Sequence, residues 1–391
     1  MESEIFDYFR ASNMISKKAI HIPPFIVMDV MEKAAEMERK GENIIHLEVG
    51  EPDFDTPACV KEAAIKALRD GKTHYTHSLG LIELREAICE HYFEKYNVKI
   101  SPDQVLVTSG SSPAMLLLFS ALLNPGDEII LPNPSYSCYS KLIEFVDGKP
   151  VWVGVSEEDG FQYLPEKIVE KITKRTKGII FNSPSNPTGN ILSAERMREI
   201  AGLGPLIISD EIYHGLVYKD REHTILEFTD MAFVFNGFSK LYAMTGWRLG
   251  YTIVPDEFIR PLQKIHQNFF ISANAFVQWA GIAALKETKE EVAKMKEIYN
   301  ERRKFMISRL REIGFGITVE PTGAFYVLAN AGKFSGDSYR LAFDILENAK
   351  VGVTPGIDFG SNGEGYIRFS YANSLENISE AMDRIADYLE I

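Results

Sequence analysis

The chain has 391 residues, 45% hydrophobic and 25% charged, enough apolar sequence for two cores and not obviously for three. Its formal net charge of −13 argues against a general binder of nucleic acid or anionic membrane, because both need clustered Lys and Arg to displace counterions. Three cysteines, Cys59, Cys89 and Cys138, show no CxxC spacing and are too few for a disulfide framework, so they read as reduced packing residues.

In chain order, the start from Met1 to Arg10 is acidic and broken, without the basic and apolar regions of a secretory leader. No apolar run approaches the roughly 18 residues that span a bilayer, and a cytoplasmic location is the expectation. From Val105 to Val254, short β-branched runs alternate with helical stretches: Val105–Val107, Glu128–Leu131, Val151–Val153, Gly178–Phe181, Leu206–Ser209, Phe233–Phe235 and Tyr251–Val254. Runs this continuous in hydrophobicity predict an α/β fold with a largely parallel seven-stranded sheet, buried on both faces by helices. Ligands of such sheets bind beyond the carboxyl ends of the strands. After about Thr288 the pattern becomes a charged helix, Lys289 to Ile313, then strand candidates at Ala324–Leu328 and Tyr366–Ser370 around a helical stretch at Ser338–Asn348. This predicts a smaller α+β domain over 289–391, joined by an N-terminal segment (1–45), beside a large domain over 46–288.

Four strand-end motifs carry chemistry. Thr108-Ser109-Gly110-Ser111-Ser112-Pro113 leaves a strand and enters an apolar helix, so free N–H groups and serine hydroxyls suit a phosphate; an ordinary serine cap has the same pattern. In Asn182-Ser183-Pro184-Ser185-Asn186-Pro187-Thr188-Gly189, two prolines stiffen the loop and hold the Asn186 amide, which suits a donor to a phenolate-like oxygen, though a plain turn reads similarly. Asp210 ends an apolar strand, where a carboxylate needs a cation such as a protonated pyridine, or else caps a helix; Tyr213 follows three residues later. Arg368 sits in the apolar strand Tyr366–Ser370, suited to a carboxylate held through two hydrogen bonds or to a structural ion pair. Between these lie Ser239-Lys240 and, eight residues after the lysine, Arg248 within Met244-Thr245-Gly246-Trp247-Arg248, a place where a buried amine could meet a phosphate.

The set resembles the class I aminotransferases of the pyridoxal 5′-phosphate fold type I family, within the aspartate aminotransferase superfamily. The matching stretches are Gly50-Glu51-Pro52-Asp53-Phe54, Tyr75, Gly80, Pro125-Gly126-Asp127-Glu128, Asn186-Pro187-Thr188-Gly189, Asp210-Glu211-Ile212-Tyr213, Ser239-Lys240 and Arg368-Phe369-Ser370-Tyr371. The resemblance implies that Lys240 holds the cofactor as a Schiff base and shuttles a proton between Cα and C4′. It implies that Arg248, Ser239, Ser109, Gly110 and Ser111 hold the phosphate, that Asp210 keeps the pyridinium protonated, and that Asn186 and Tyr213 bind the 3′-oxygen. Tyr136 would stack on the ring; Gly50, Asn186 and Arg368 would face the substrate, with Arg368 on its α-carboxylate. Tyr75 would reach the phosphate of a neighbouring subunit, implying a homodimer. No metal site is implied.

Some positions depart from aspartate-specific relatives. Ser112 stands where such an enzyme can carry a lysine, and Gln267–Gln278 offers no arginine to read an acidic side chain. The segment Ile20-His21-Ile22-Pro23-Pro24-Phe25 is largely apolar. The expectation is an aminotransferase working by a ping-pong mechanism, preferring neutral or aromatic amino acids to aspartate, with 2-oxoglutarate as acceptor. A pyridoxal-dependent carbon–sulfur β-lyase is the enzymatic alternative, and an effector-sensing domain the non-enzymatic one; about fifty residues without a basic helix-turn-helix precede Gly50.

Overall fold

The computed structural model describes residues 14–390, so the start from Met1 to Arg10 lies outside the described residues. Strand β1 (Ile45–His46) precedes the seven apolar runs, which form β2 (Val105–Thr108), β3 (Glu128–Asn133), β4 (Lys149–Gly154), β5 (Thr176–Asn182), β6 (Leu206–Asp210), β7 (Ala232–Gly237) and β8 (Gly250–Ile253). All seven join one sheet in the order β2-β8-β7-β6-β5-β3-β4. Only β8 runs against its neighbours, antiparallel to both β2 and β7.

Continuous hydrophobicity follows from burial on two sides. Leu106, Ile129, Ile180, Ile208 and Phe233 face one core, which includes Ala114, Leu117 and Leu118 of helix Ser111–Leu122. Val107, Ile130, Ile179, Ile207 and Val234 face the other, shared with Leu84 and Ile88 of helix Ile82–Tyr96 and Val277 of helix Ala275–Glu287. Each fully buried Ile, Leu or Phe contributes about 1.5–3 kcal/mol relative to an exposed one, and alternate residues of each strand share that gain.

The later chain forms β9 (Tyr326–Asn330), β10 (Val351–Gly352), β11 (Thr354–Pro355) and β12 (Tyr366–Ser370). Strands β11, β12 and β9 make an antiparallel sheet, while β1 pairs with β10 in parallel. Helix Lys289–Ile313 packs on helix Leu375–Tyr388, and helix Ile26–Arg39 packs on β10 and β11. Strand β9 begins two residues after the expected Ala324, because Ala324 itself has a φ of 55° and turns the chain before the strand can start. The apolar helix expected after the Thr108–Pro113 stretch begins within it, at Ser111, with Gly110 rather than a serine as its cap. No described helix is long and apolar enough to cross a membrane.

Candidate active site

The carboxyl ends of β2, β3, β5, β6 and β7 lie along one edge of the sheet, and residues at or just beyond them line a cavity of about 320 Å³. Helix Ile26–Arg39, the segment Val49–Glu51, β9 and β12 supply the rest of its wall.

The end of the cavity beside helix Ser111–Leu122 is an anion cradle. Ser111 and Ser112 open the helix, where backbone N–H groups lack intrahelical partners and the dipole is positive. Gly110 has a φ of 107°, and a Cβ placed on it would fall 2.6 Å from Nη2 of Arg248. Residue 110 is therefore glycine for two reasons, its left-handed backbone and the guanidinium against it. Arg248 donates through Nη1 to the Thr245 carbonyl at 3.0 Å. The Ser239 hydroxyl, nearly buried in the loop after β7, completes the wall there.

Lys240 follows Ser239 and donates from Nζ to the Gly50 carbonyl at 2.5 Å. Burial pulls its ammonium down to about 8; Glu51 and Asp210 oppose the fall, while Arg368 and Arg248 assist it. The amine thus loses its proton far more readily than a surface lysine. Asp210, at the end of β6, moves the other way: burial raises its carboxyl to about 6, against hydrogen bonds from Tyr139 at 2.6 Å and the Ile212 N–H at 3.2 Å. A carboxylate so placed is suited to a cationic ring nitrogen.

Arg368 is buried and spends three of its five N–H donors. Nη1 reaches Asn186 Oδ1 at 2.9 Å, and Nη2 reaches the Glu48 carbonyl at 2.5 Å and Thr354 Oγ1 at 3.0 Å. Its Nε is buried with no hydrogen-bond partner, leaving donors for a planar anion. The guanidinium lies 4.4 Å from the centroid of Tyr326, whose hydroxyl meets that of Tyr213 at 2.8 Å. Asn186 is itself fixed through its N–H to Asn182 Oδ1 at 2.7 Å.

Of the residues expected from sequence, the cavity brings together Gly50, Ser111, Tyr136, Asn186, Asp210 and Tyr213, and with them Ser239, Lys240, Arg248 and Arg368. Ser109 and Gly110 stand behind that surface. Tyr75 does not reach it: the side chain is 82% exposed, on a separate surface with His74 and Phe276. Sequence reasoning missed Tyr139 and Tyr326, which orient Asp210 and Arg368. The aromatic spacing Tyr136/Tyr139 was a local sign of the first, whereas nothing near Tyr326 signals its partner. The apolar segment ending at Phe25 does reach the cavity, as expected, but Met28, Met31 and Met115, which extend that apolar wall, were missed.

An amine made easier to deprotonate by burial, an anion cradle and a buried carboxylate around one small cavity fit a phosphorylated aldehyde with a basic ring. The class so defined is the fold type I enzymes of pyridoxal 5′-phosphate. The family of aminotransferase class I and II matches residues 42–385, and the chain belongs to it. A (5-formylfuran-3-yl)methyl phosphate transaminase of Methanocaldococcus jannaschii is 42% identical, over 96% of this chain and 100% of that protein. An aspartate aminotransferase of Pyrococcus horikoshii is 41% identical over 96% of this chain and 97% of its own length. The solved aspartate aminotransferase of Thermus thermophilus with maleate superposes with a TM-score of 0.92 at 37% identity, covering 96% of this chain and 99% of that one. The protein is an aminotransferase with pyridoxal 5′-phosphate as its cofactor.

Proposed function

We propose that the enzyme moves the amino group of a neutral or aromatic amino acid, in preference to aspartate, to a 2-oxo acid such as 2-oxoglutarate, in a ping-pong sequence. The observation that carries this reading is the cavity wall. Among its described residues the cations are Lys240, Arg248 and Arg368. Each has a task, in amine chemistry, phosphate binding and α-carboxylate binding, so no fourth cation remains for a distal carboxylate. Opposite them, Phe25, Met28, Met31 and Met115 offer apolar and adaptable surface. Relatives divide on this point. Several are named aspartate aminotransferases, yet one solved structure from Methanococcus jannaschii is described as similar in its active site to kynurenine aminotransferases.

The bound cofactor supplies an aldehyde that accepts the amino group and a ring that withdraws electrons. Arg248, Ser239, Ser111 and the helix N-terminus bind its phosphate, with Ser109 and Gly110 shaping the turn. Asp210 would hold a positive ring nitrogen, Asn186 and Tyr213 would contact the phenolic oxygen, and Tyr136 would stack on the ring. Arg368 grips the α-carboxylate of donor and acceptor alike, with Gly50 and Asn186 beside it. Lys240 Nζ, whose ammonium burial draws down to about 8, would take the proton from the substrate Cα and pass it to C4′, and carry it the other way in the opposite half-reaction.

A panel of single half-reactions, each amino acid against the pyridoxal form, tests the preference. Phenylalanine and similar donors should exceed aspartate in kcat/KM, and aspartate as by far the best donor refutes the reading. Placing a cation at Ser112, which lines the cavity, should then favour aspartate: Ser112→Lys is expected to raise the aspartate-to-phenylalanine ratio by about tenfold, the value of one charge-assisted contact.

Tyr75 acts, in this reading, across a homodimer. It lies exposed together with Phe269 and Ile271, apolar surface of the kind that partners cover. Sedimentation equilibrium at micromolar concentration should give twice the chain mass; a monomer that turns over at full rate refutes the shared site.

A further inference from the structure

The segment that follows β1 joins two of the three basic groups of the site, because the Glu48 carbonyl accepts from Arg368 and the Gly50 carbonyl accepts from Lys240. Its anchoring is unusual. The Glu48 side chain is wholly buried, with Oε1 2.7 Å from Nδ1 of His46 and Oε2 without any hydrogen-bond partner. Its carboxyl lies so close to Gly352 that a Cβ there would overlap Oε2. His46 is one-third exposed and its Nε2 meets Glu38 of helix Ile26–Arg39 at 3.2 Å. A buried carboxylate with one satisfied oxygen is costly unless a cation faces it.

Other charges nearby are already engaged. Lys350, just before β10, pairs with Glu42, and Arg384 of helix Leu375–Tyr388 binds Glu380 and Asn43. The remaining cation tied to residue 48 is Arg368, bonded to its carbonyl.

We propose that His46 is a positioning residue for Arg368: the imidazolium, clasped between Glu38 and Glu48, neutralises the buried Glu48 carboxylate and so leaves the guanidinium open to the substrate carboxylate. Without that cation, Glu48 turns to Arg368 and competes with the ligand. This rests on Arg368 being the carboxylate anchor. The hydrogen bond that His46 donates to Glu48 is the main cause that holds the imidazole at about 9; burial opposes it, and the Glu48 charge and Glu38 reinforce it. A raised histidine pKa means that the pair is complete at neutral pH and is lost as pH rises through about 9.

The test uses the holoenzyme and 3-phenylpropanoate, a carboxylate with no amino group to titrate. Its dissociation constant is measured at pH 7 and pH 10 in the native protein, His46→Gln, Glu38→Gln, Glu48→Gln and Arg368→Ala. His46→Gln should bind about tenfold more weakly than the native protein at pH 7 and equally at pH 10, since deprotonation removes the same cation. Glu48→Gln, with no buried charge to neutralise, should bind within about twofold of native at both pH values. Glu38→Gln should move the loss of affinity to lower pH. A His46→Gln defect that is the same at both pH values, or absent at pH 7, overturns the inference. If Arg368→Ala weakens binding while His46→Gln does not, only this inference falls; if Arg368→Ala leaves binding unchanged, the anchor itself is refuted.

Discussion

Lys240→Ala is expected to lower kcat by at least about 10⁴-fold, because in the proposed mechanism this side chain is both the covalent attachment and the positioned base. The side chain is buried, its ammonium drawn down to about 8, with the Gly50 carbonyl as its hydrogen-bond partner. No neighbour can replace it. The other cations lining the cavity, Arg248 and Arg368, are guanidiniums bonded to the Thr245 carbonyl and to Asn186, Glu48 and Thr354. Borohydride treatment followed by mass spectrometry separates the two losses: the native chain should carry the reduced cofactor on the peptide containing Lys240, and the variant should carry none. Retained multiple turnovers in the variant would refute the assigned role.

Arg368→Ala carries the second large effect. Truncating one member of a buried charge pair costs about 2–5 kcal/mol, or roughly 30- to 5,000-fold in kcat/KM. The loss should fall on amino acid and 2-oxo acid alike, since both present the same carboxylate. Arg368→Lys is not expected to restore activity. The guanidinium uses its fork to reach Asn186, Glu48 and Thr354 together while lying over Tyr326, and a point-charge ammonium cannot repeat that geometry. Steady-state kinetics for donor and acceptor check this; a defect confined to one substrate contradicts a shared anchor.

Much of the fold is legible in the sequence because its signals are local. Each run from Val105 to Val254 is apolar on alternate residues of both faces, and each became a strand of one sheet. Lys289–Ile313 and Tyr366–Ser370 fall where charge and hydrophobic pattern place them. The two-residue strands β1, β10 and β11 were not legible, for they are too short to show any period and exist only through their partners. The left-handed Ala324 displaced β9 for a related reason: a backbone conformation rare for alanine is imposed by its surroundings, here the hydrogen bond of its N–H to the Leu216 carbonyl.

The sequence by itself determined the family chemistry. Lys240, Asp210, Asn186 and Arg248 each sit in a strand-end motif whose residue types and order are written within a few positions. Tertiary structure decided what surrounds them. Tyr139 meets Asp210 across 71 residues, Tyr326 meets Tyr213 across 113, and Glu48 meets Arg368 across 320. Such contacts arise only when packing brings distant segments together, and no local propensity records them. The apolar wall of Phe25, Met28, Met31 and Met115 has the same origin. The proposed preference for neutral or aromatic side chains rests there, where helix Ile26–Arg39 and helix Ser111–Leu122 both line one cavity.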